Sequence, residues 1–183
     1  MSCTVTLTSI PDVLILEPEV YEDERGFFFE SFNHRDFAQV TGLNVNFVQD
    51  NHSRSAKNVL RGMHYQIQHS QGKLVRVSQG AVFDVSVDLR SDSPYFGKWF
   101  GLELSSRNKR QLWIPPGFAH GFLVISKSAE VLYKTTDYRH PKQERCLLWN
   151  DPLIGVEWPI VKKPLLSLKD EHGKPLTEAD VYV

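Results

Sequence analysis

An all-β fold of the jelly-roll, sandwich or barrel type, with one or two short peripheral helices, is the architecture this sequence predicts. Three observations carry the prediction. Short runs rich in β-branched and aromatic residues recur along most of the chain, and most are bounded by Gly, Pro, Asn, Asp or Ser. Turn signals recur too regularly to mark a domain boundary, and no internal repeat, low-complexity tract or Gly/Ser linker interrupts them. A hydrophobic content of 41% in 183 residues is enough for one sizeable core, so residues 1–183 read as a single domain.

In order, the strand-like runs are DVLILEP, RGFFFESF, LNVNFVQD, NVLRGMHYQ, KLVRVSQ, AVFDVSVDLR, KWFGLELS, RQLWIPPG, GFLVIS, EVLYKTTDY and RCLLWND. Eleven short strands spaced in this way close into two packed sheets or a barrel. Between the second and third runs, Asn33 is placed to cap a helix over HRDFAQVTG, with Asp36 at its third position and Gly42 supplying the stop. A second short helix is expected near Leu176 to Asp180. The tryptophan-bearing stretches FGKWFGLELS, WIPP and LLWNDPLIGVEWP read as barrel packing.

Charge and composition exclude several classes. Lys+Arg 21 against Asp+Glu 22 leaves a formal net charge of −1, so neither a nucleic-acid footprint nor a polybasic membrane patch is expected. Any anionic ligand must then be met locally. MSCTVTLTSIPDVLILEP has no basic region before its apolar run, and no apolar stretch approaches the roughly 18 residues of a membrane span, so a cytosolic protein is expected. Cys3 and Cys146 fit neither a paired metal motif nor a disulfide framework and receive no role.

The stretches RGMHYQ and IPPGFAHGF resemble the paired motifs of the cupin superfamily, whose small jelly-roll barrel holds the functional site inside. That resemblance implies a metal site of two histidines one residue apart, a carboxylate shortly after, and a third histidine from the second motif. Here the first motif reads H-Y-Q, which puts Gln66 at the second ligand position. The following IQHSQGKLVRVS holds no Asp or Glu and sets Lys73 where a cation would be unwelcome. His64 and His120 alone are too few for a tight zinc site, His69 is the only spare donor, and no metal is expected in the barrel.

Without a metal, His64, His120, Lys73, Asp84, Arg61 and Tyr133 remain on strands or strand ends that can converge on one interior. A neutral imidazole beside a neutral phenol offers a proton acceptor and a donor at the same pH, which suits proton abstraction next to a carbonyl. Lys73 is the candidate to stabilise the enolate. Strand parity raises a difficulty. In an unbroken strand Leu60, Gly62, His64 and Gln66 share one face, while Arg61, Met63 and Tyr65 share the other. A bulge at Gly62 is therefore expected if Arg61 and His64 meet one ligand.

Over nearly the whole chain the sequence resembles the dTDP-4-dehydrorhamnose 3,5-epimerase family, through IPDVLILEP, DERGFFFESF, FVQDNHS, NVLRGMHYQ, QGKLVRV, VFDVSVDLR, NKRQLWIPPGFAHGF, LYKTTDY, LWNDPLIGVEWP and LSLKD. The resemblance implies a cofactor-free isomerase acting on dTDP-4-dehydro-6-deoxy-D-glucose, dimeric, with N-terminal strands exchanged between subunits. It implies His64 as the base that removes the C3 and C5 protons, Asp170 as the carboxylate that orients it, and Tyr133 as the acid on the opposite face of the sugar. It places Lys73 and His120 around the C4 carbonyl, and Arg25 and Arg61 on the nucleotide part, where Arg61 suits a diphosphate. Glu30, Gln49, Asp50 and Asn51 match nucleoside contacts, Glu144 and Lys169 further substrate positions, and Phe27 and Tyr138 rings that stack on thymine. Asp84 is expected to support a neighbouring histidine or lysine. A C3-only epimerase or 3,4-ketoisomerase, a nucleotide-sugar-binding module and a metal-dependent cupin oxygenase are the competing functions. From pattern alone, His64 would be a packed strand histidine, Tyr133 a core aromatic and Asp170 a solvated turn residue.

Overall fold

The computed structural model describes residues 3–183. In chain order its strands are β1 (Cys3–Leu7), β2 (Leu14–Pro18), β3 (Tyr21–Asp23), β4 (Gly26–Phe28), β5 (Gln49–Ala56), β6 (Leu60–Gln66), β7 (Lys73–Gln79), β8 (Ala81–Asp88), β9 (Trp99–Ser105), β10 (Gln111–Ile114), β11 (Phe118–Val124), β12 (Ser128–Thr135) and β13 (Glu144–Cys146). Helix α1 (His34–Thr41) follows β4, and α2 (Leu168–Glu171) lies in the C-terminal segment. One sheet has the order β1-β2-β10-β7-β12-β5 and the other β13-β6-β11-β8-β9, while β3 and β4 form a separate hairpin.

Alternation along the strands sorts the apolar residues into three layers. Between the sheets lie Val75, Val77, Leu112 and Val131 of the first sheet, against Val82, Leu104, Phe118 and Phe122 of the second. The outer face of the five-stranded sheet buries Met63, Tyr65, Val85, Val87 and Leu123 under the C-terminal segment, which contributes Trp149, Trp158, Leu176 and Tyr182. Strand β11 is therefore buried along its whole length. The outer face of the six-stranded sheet is covered by α1. Phe37 packs there at 5.6 Å from Trp113, edge to face, beside Leu14, Leu16 and Leu74. Such an aromatic pair contributes about 0.5–1.5 kcal/mol beyond area burial. All four tryptophans pack in the outer two layers.

Helix α1 forms where the capping signals put it. The Asn33 side chain accepts from the Asp36 N–H, and Gly42 adopts φ 72°, a left-handed stop that costs glycine little. RCLLWND is strand only over Arg145 and Cys146, because the chain then turns away into the C-terminal segment. Two further expectations need correction. In LNVNFVQD only the final Gln49 and Asp50 are strand, and the strand runs on through the polar NHSRSA instead. Here β5 is a sheet edge whose register is set by pairing with β12, from Gln49↔Thr135 to Ala56↔Ser128. Leu176 to Asp180 is a turn, not a helix. The Leu176 N–H is taken by the Asp151 carboxylate at 2.6 Å, and Glu178 N–H bonds back only to Pro175 O. A run this short cannot offset helix nucleation without a cap. The second helix is α2, where the Ser167 hydroxyl accepts from the Asp170 N–H.

Gly62 resolves the parity difficulty. Between His120↔His64 and Phe122↔Arg61 the register shifts, with one extra residue on β6. Leu60 consequently joins Met63 and Tyr65 in the outer layer, whereas Arg61 and His64 turn to the interior. Gly62 has φ 126° and is followed by a cis peptide bond.

Candidate active site

Polar side chains interrupt the layer between the sheets at one end, where a cavity of about 180 Å³ opens. The six-stranded sheet supplies one wall, with Gln49, Asn51 and Ser53 from β5, Lys73 from β7 and Tyr133 from β12. Facing them from the other sheet are Arg61 and His64 of β6, His120 of β11 and Glu144 of β13. Lys169 of α2 and Arg139, just beyond β12, complete the rim.

His64 stands at the centre of the hydrogen bonding. Its Nε2 lies 2.5 Å from Asp170 Oδ1, a contact between residues 106 apart in sequence. Asp170 is buried, and its second oxygen accepts from the Ser167 hydroxyl at 2.8 Å, so α2 presents the carboxylate in a fixed orientation. Among the described residues the His64 Nδ1 has no hydrogen-bond partner, which leaves it as the basic nitrogen when Nε2–H donates to Asp170. Burial draws the imidazole below its ordinary value and outweighs the opposing pull of Asp170. Burial also raises Asp170, but the His64 and Ser167 hydrogen bonds more than reverse it and keep the carboxylate ionised. At neutral pH the pair is thus a neutral base held by an anion.

A second His–carboxylate pair sits beside the first. His120 Nε2 donates to both oxygens of the fully buried Asp84, at 3.0 Å each. Lys73 is buried and reaches the His64 carbonyl at 3.2 Å. Burial lowers the Lys73 ammonium to about 8, against the attraction of Asp84 and Glu144. Below that pH it carries a positive charge in a water-poor cavity. Burial raises the Tyr133 phenol, which therefore keeps its proton. Glu144 is partly desolvated, yet hydrogen bonds from Arg139 at 2.6 Å and Lys169 at 2.7 Å bring it to about 2. The amide nitrogen of Asn51 and the hydroxyl of Ser53, both on the cavity wall, are buried without a partner among the described residues. Buried polar groups are rarely left so, and these two suit the polar atoms of a ligand.

The donor set does not suit a metal inside the barrel. Gln66, at the second ligand position, spends its amide on loop backbone, donating to His69 O and Tyr138 O and accepting from His140 N–H. His120 is committed to Asp84, and Lys73 would oppose a cation. His64 and Asp170 meet Cys146, but they are already bonded to each other, and burial pushes the Cys146 thiol up to about 12.

Several residues expected at the site lie elsewhere. Arg25 and Phe27 are on the exposed β3–β4 hairpin, where Arg25 pairs with Asp23 at 2.5 Å and the Lys109 ammonium sits 3.6 Å from the Phe27 ring centroid. Glu30 is exposed just beyond that hairpin. The Asp50 carboxylate faces the other side of β5 and binds Lys134 at 2.9 Å, and the Tyr138 ring is 59% exposed. Conversely, Arg139, Gln71 and Ser53 line the cavity and are not singled out by the sequence, which marks Gln66 only as a metal-ligand position. Arg139 sits in the charged run RHPKQE, and only its position one turn past β12 marks it.

A jelly-roll interior that sets an oriented histidine, a phenol on the facing sheet and a buried ammonium around one cavity is of the cupin type and suits proton transfer at carbon, the chemistry of an isomerase. The sequence profile of the dTDP-4-dehydrorhamnose 3,5-epimerase family matches residues 7–178. The chain belongs to that family, and is a carbohydrate epimerase of dTDP-rhamnose biosynthesis. It is 59% identical over 177 residues to the dTDP-4-dehydrorhamnose 3,5-epimerase of Pseudomonas aeruginosa, covering 97% of this chain and 98% of that one. It is 58% identical to the Salmonella typhimurium enzyme of that name, with 96% of each chain covered. Among solved structures, the Legionella pneumophila dTDP-6-deoxy-D-glucose-3,5-epimerase in complex with dTDP-4-keto-L-rhamnose superposes with a TM-score of 0.94 at 50% identity, covering 96% of this chain and 94% of that one.

Proposed function

We propose that this cavity inverts C3 and C5 of dTDP-4-dehydro-6-deoxy-D-glucose, with His64 as the base and Tyr133 as the acid. Both carbons flank the C4 carbonyl, so loss of either proton gives an enolate whose charge rests on O4. His64 Nδ1 takes the proton, and the Asp170 carboxylate stabilises the imidazolium that results. The Lys73 ammonium offsets the charge on O4, and His120, held in place by Asp84, lines the cavity beside it. Tyr133 then delivers a proton to the opposite face of the carbon. The phenolate recovers its proton from solvent and the imidazolium releases one, so each inversion is neutral overall. The observation that carries this reading is the placement of base and acid on facing sheets around one cavity. A base acting alone would return its proton to the face it came from. Arg61, the Asn51 amide nitrogen and the Ser53 hydroxyl supply donors for the nucleotide part.

Deuterium tracking by NMR in D₂O tests the roles. The unmodified enzyme is expected to incorporate label at both C3 and C5, and Tyr133→Phe to keep proton removal while losing most inversion. If Tyr133→Phe loses both equally, the phenol is not the acid. The pH profile follows from the two shifted groups. The His64 pKa is lowered, so the base is available from below the ordinary imidazole range upward. Lys73 is charged only below about 8, so kcat/KM should fall as pH rises through that value. A kcat/KM that still climbs at pH 10 would show that the Lys73 charge is not needed.

We also infer a homodimer in which each β3–β4 hairpin brings Arg25, Phe27 and Glu30 to the other subunit's site. The hairpin projects with Tyr21 and Phe28 exposed, and within one chain its residues do not line the cavity. Sedimentation should read twice 21.0 kDa. A monomer at working concentration would end the inference. A cytoplasmic location is supported by the unpaired Cys3 and Cys146, which fit a reducing compartment, and cell fractionation would test it.

A further inference from the structure

At the rim of the cavity, the loop after β6 and the loop after β12 bring together His69, Asp137 and His140, which the epimerisation does not use. Their ligand atoms all lie within 4.8 Å of one another. The two imidazole rings stack with centroids 4.0 Å apart and planes 17° from parallel. His69 Nδ1 stands 3.3 Å from Asp137 Oδ2. Two ligands each about 2.0–2.1 Å from a tetrahedral ion are themselves roughly 3.3 Å apart, so this pair already has the span of a coordination edge.

The surrounding hydrogen bonds fix the loops without consuming the donor atoms. Asp137 Oδ1 accepts from the Tyr138 N–H at 2.7 Å, which leaves Oδ2 turned to His69. The Gln66 amide ties the His69 carbonyl to the His140 N–H, and Gln71 Nε2 holds the Asp137 carbonyl at 2.9 Å. His69 itself has φ 56°, a left-handed conformation uncommon outside glycine, and it seats the ring on His140. Two imidazoles and a carboxylate are the donor set of a borderline divalent ion, and their ligand atoms are close enough to meet one once the stacked rings turn apart so that both in-plane lone pairs converge.

We propose that His69, Asp137 and His140 bind a divalent transition-metal ion of the zinc class, which cross-links the two loops at the cavity rim. Three protein ligands leave a fourth position for water. The site is separate from the His64–Asp170 pair, and occupancy does not depend on the epimerisation mechanism.

Tag-free protein, stripped with chelator and titrated with Zn²⁺ by calorimetry, should bind one saturable equivalent and unfold at a higher temperature once loaded. Each of His69→Ala and His140→Ala should weaken binding at least about tenfold. Cys146→Ser, which alters the other group of donors, should leave binding unchanged. Co²⁺ in place of Zn²⁺ should give the visible bands of a four-coordinate ion, lost in the double variant. His69 is exposed and His140 half-buried, so unchanged metal-free melting of these variants confirms that they fold. No saturable binding, or binding that survives His69→Ala with His140→Ala, or that is lost in Cys146→Ser, would overturn the proposal.

Discussion

His64→Ala is expected to lower kcat by about 10²–10⁴-fold, the range general acid–base catalysis contributes, while leaving dTDP affinity within a few-fold. The same residue is proposed to act at both carbons, so exchange at C3 and at C5 should fall together. Nucleotide affinity should persist because the side chain's only hydrogen-bond partner among the described residues is Asp170, on the far side of the ring from the free Nδ1. Truncation also leaves the apolar layers intact, since Met63 and Tyr65, not His64, pack into them. The variant should therefore fold, with a Tm lowered by a few degrees because the buried Asp170 Oδ1 loses its partner. Single-turnover exchange followed by NMR reads the chemical step directly, and residual exchange within tenfold of normal would assign the base elsewhere.

Gly62→Ala should be strongly destabilising for a change of one methyl group. A Cβ built on Gly62 would stand 2.5 Å from Gly121 Cα and 2.8 Å from His120 O, both backbone atoms of β11. Neither can move aside without disturbing a strand paired on both edges. The φ of 126° adds a conformation that an L side chain strongly resists. Together these should cost about 3 kcal/mol or more, a drop in Tm of roughly 6–12 °C for a domain of this size. The bulge also sets the parity that turns Arg61 inward, so surviving folded protein should bind nucleotide more weakly. A Gly62→Ala protein that melts within 2 °C of the original would mean that the two strands tolerate separation.

The sequence exposes some of these features far better than others. Strands β7, β8 and β11 alternate or are apolar throughout, because both faces of their sheets are covered, and their runs are visible as such. Strand β5 is hidden because QDNHSRSA lies at a sheet edge and lines a polar cavity, so its conformation is dictated by the neighbouring β12. The Asn33 and Gly42 caps are local chemistry and legible; α2 is a single turn, created by Ser167 and by the burial of Asp170. In the site, His64, Lys73 and His120 sit in recognisable strand motifs. The Asp170 contact joins residues 106 apart, and no local periodicity encodes a pairing of that kind. Family resemblance alone pointed to it. Arg139 left no signal because a charged loop residue looks the same whether it faces solvent or substrate.

The His64–Asp170 link also joins the barrel to the last part of the chain to be made. The C-terminal segment reaches the barrel through isolated pairings of Leu165 with Val59, Lys174 with Leu147 and Tyr182 with Arg90, and through the Tyr182 hydroxyl, which donates to the Gln66 carbonyl at 2.6 Å. All thirteen strands precede it in the chain. During synthesis, the barrel can therefore close and set Arg61, Lys73 and His64 in place before His64 has acquired the Asp170 carboxylate. Under the proposed roles, no chain can turn over substrate until its own tail has docked.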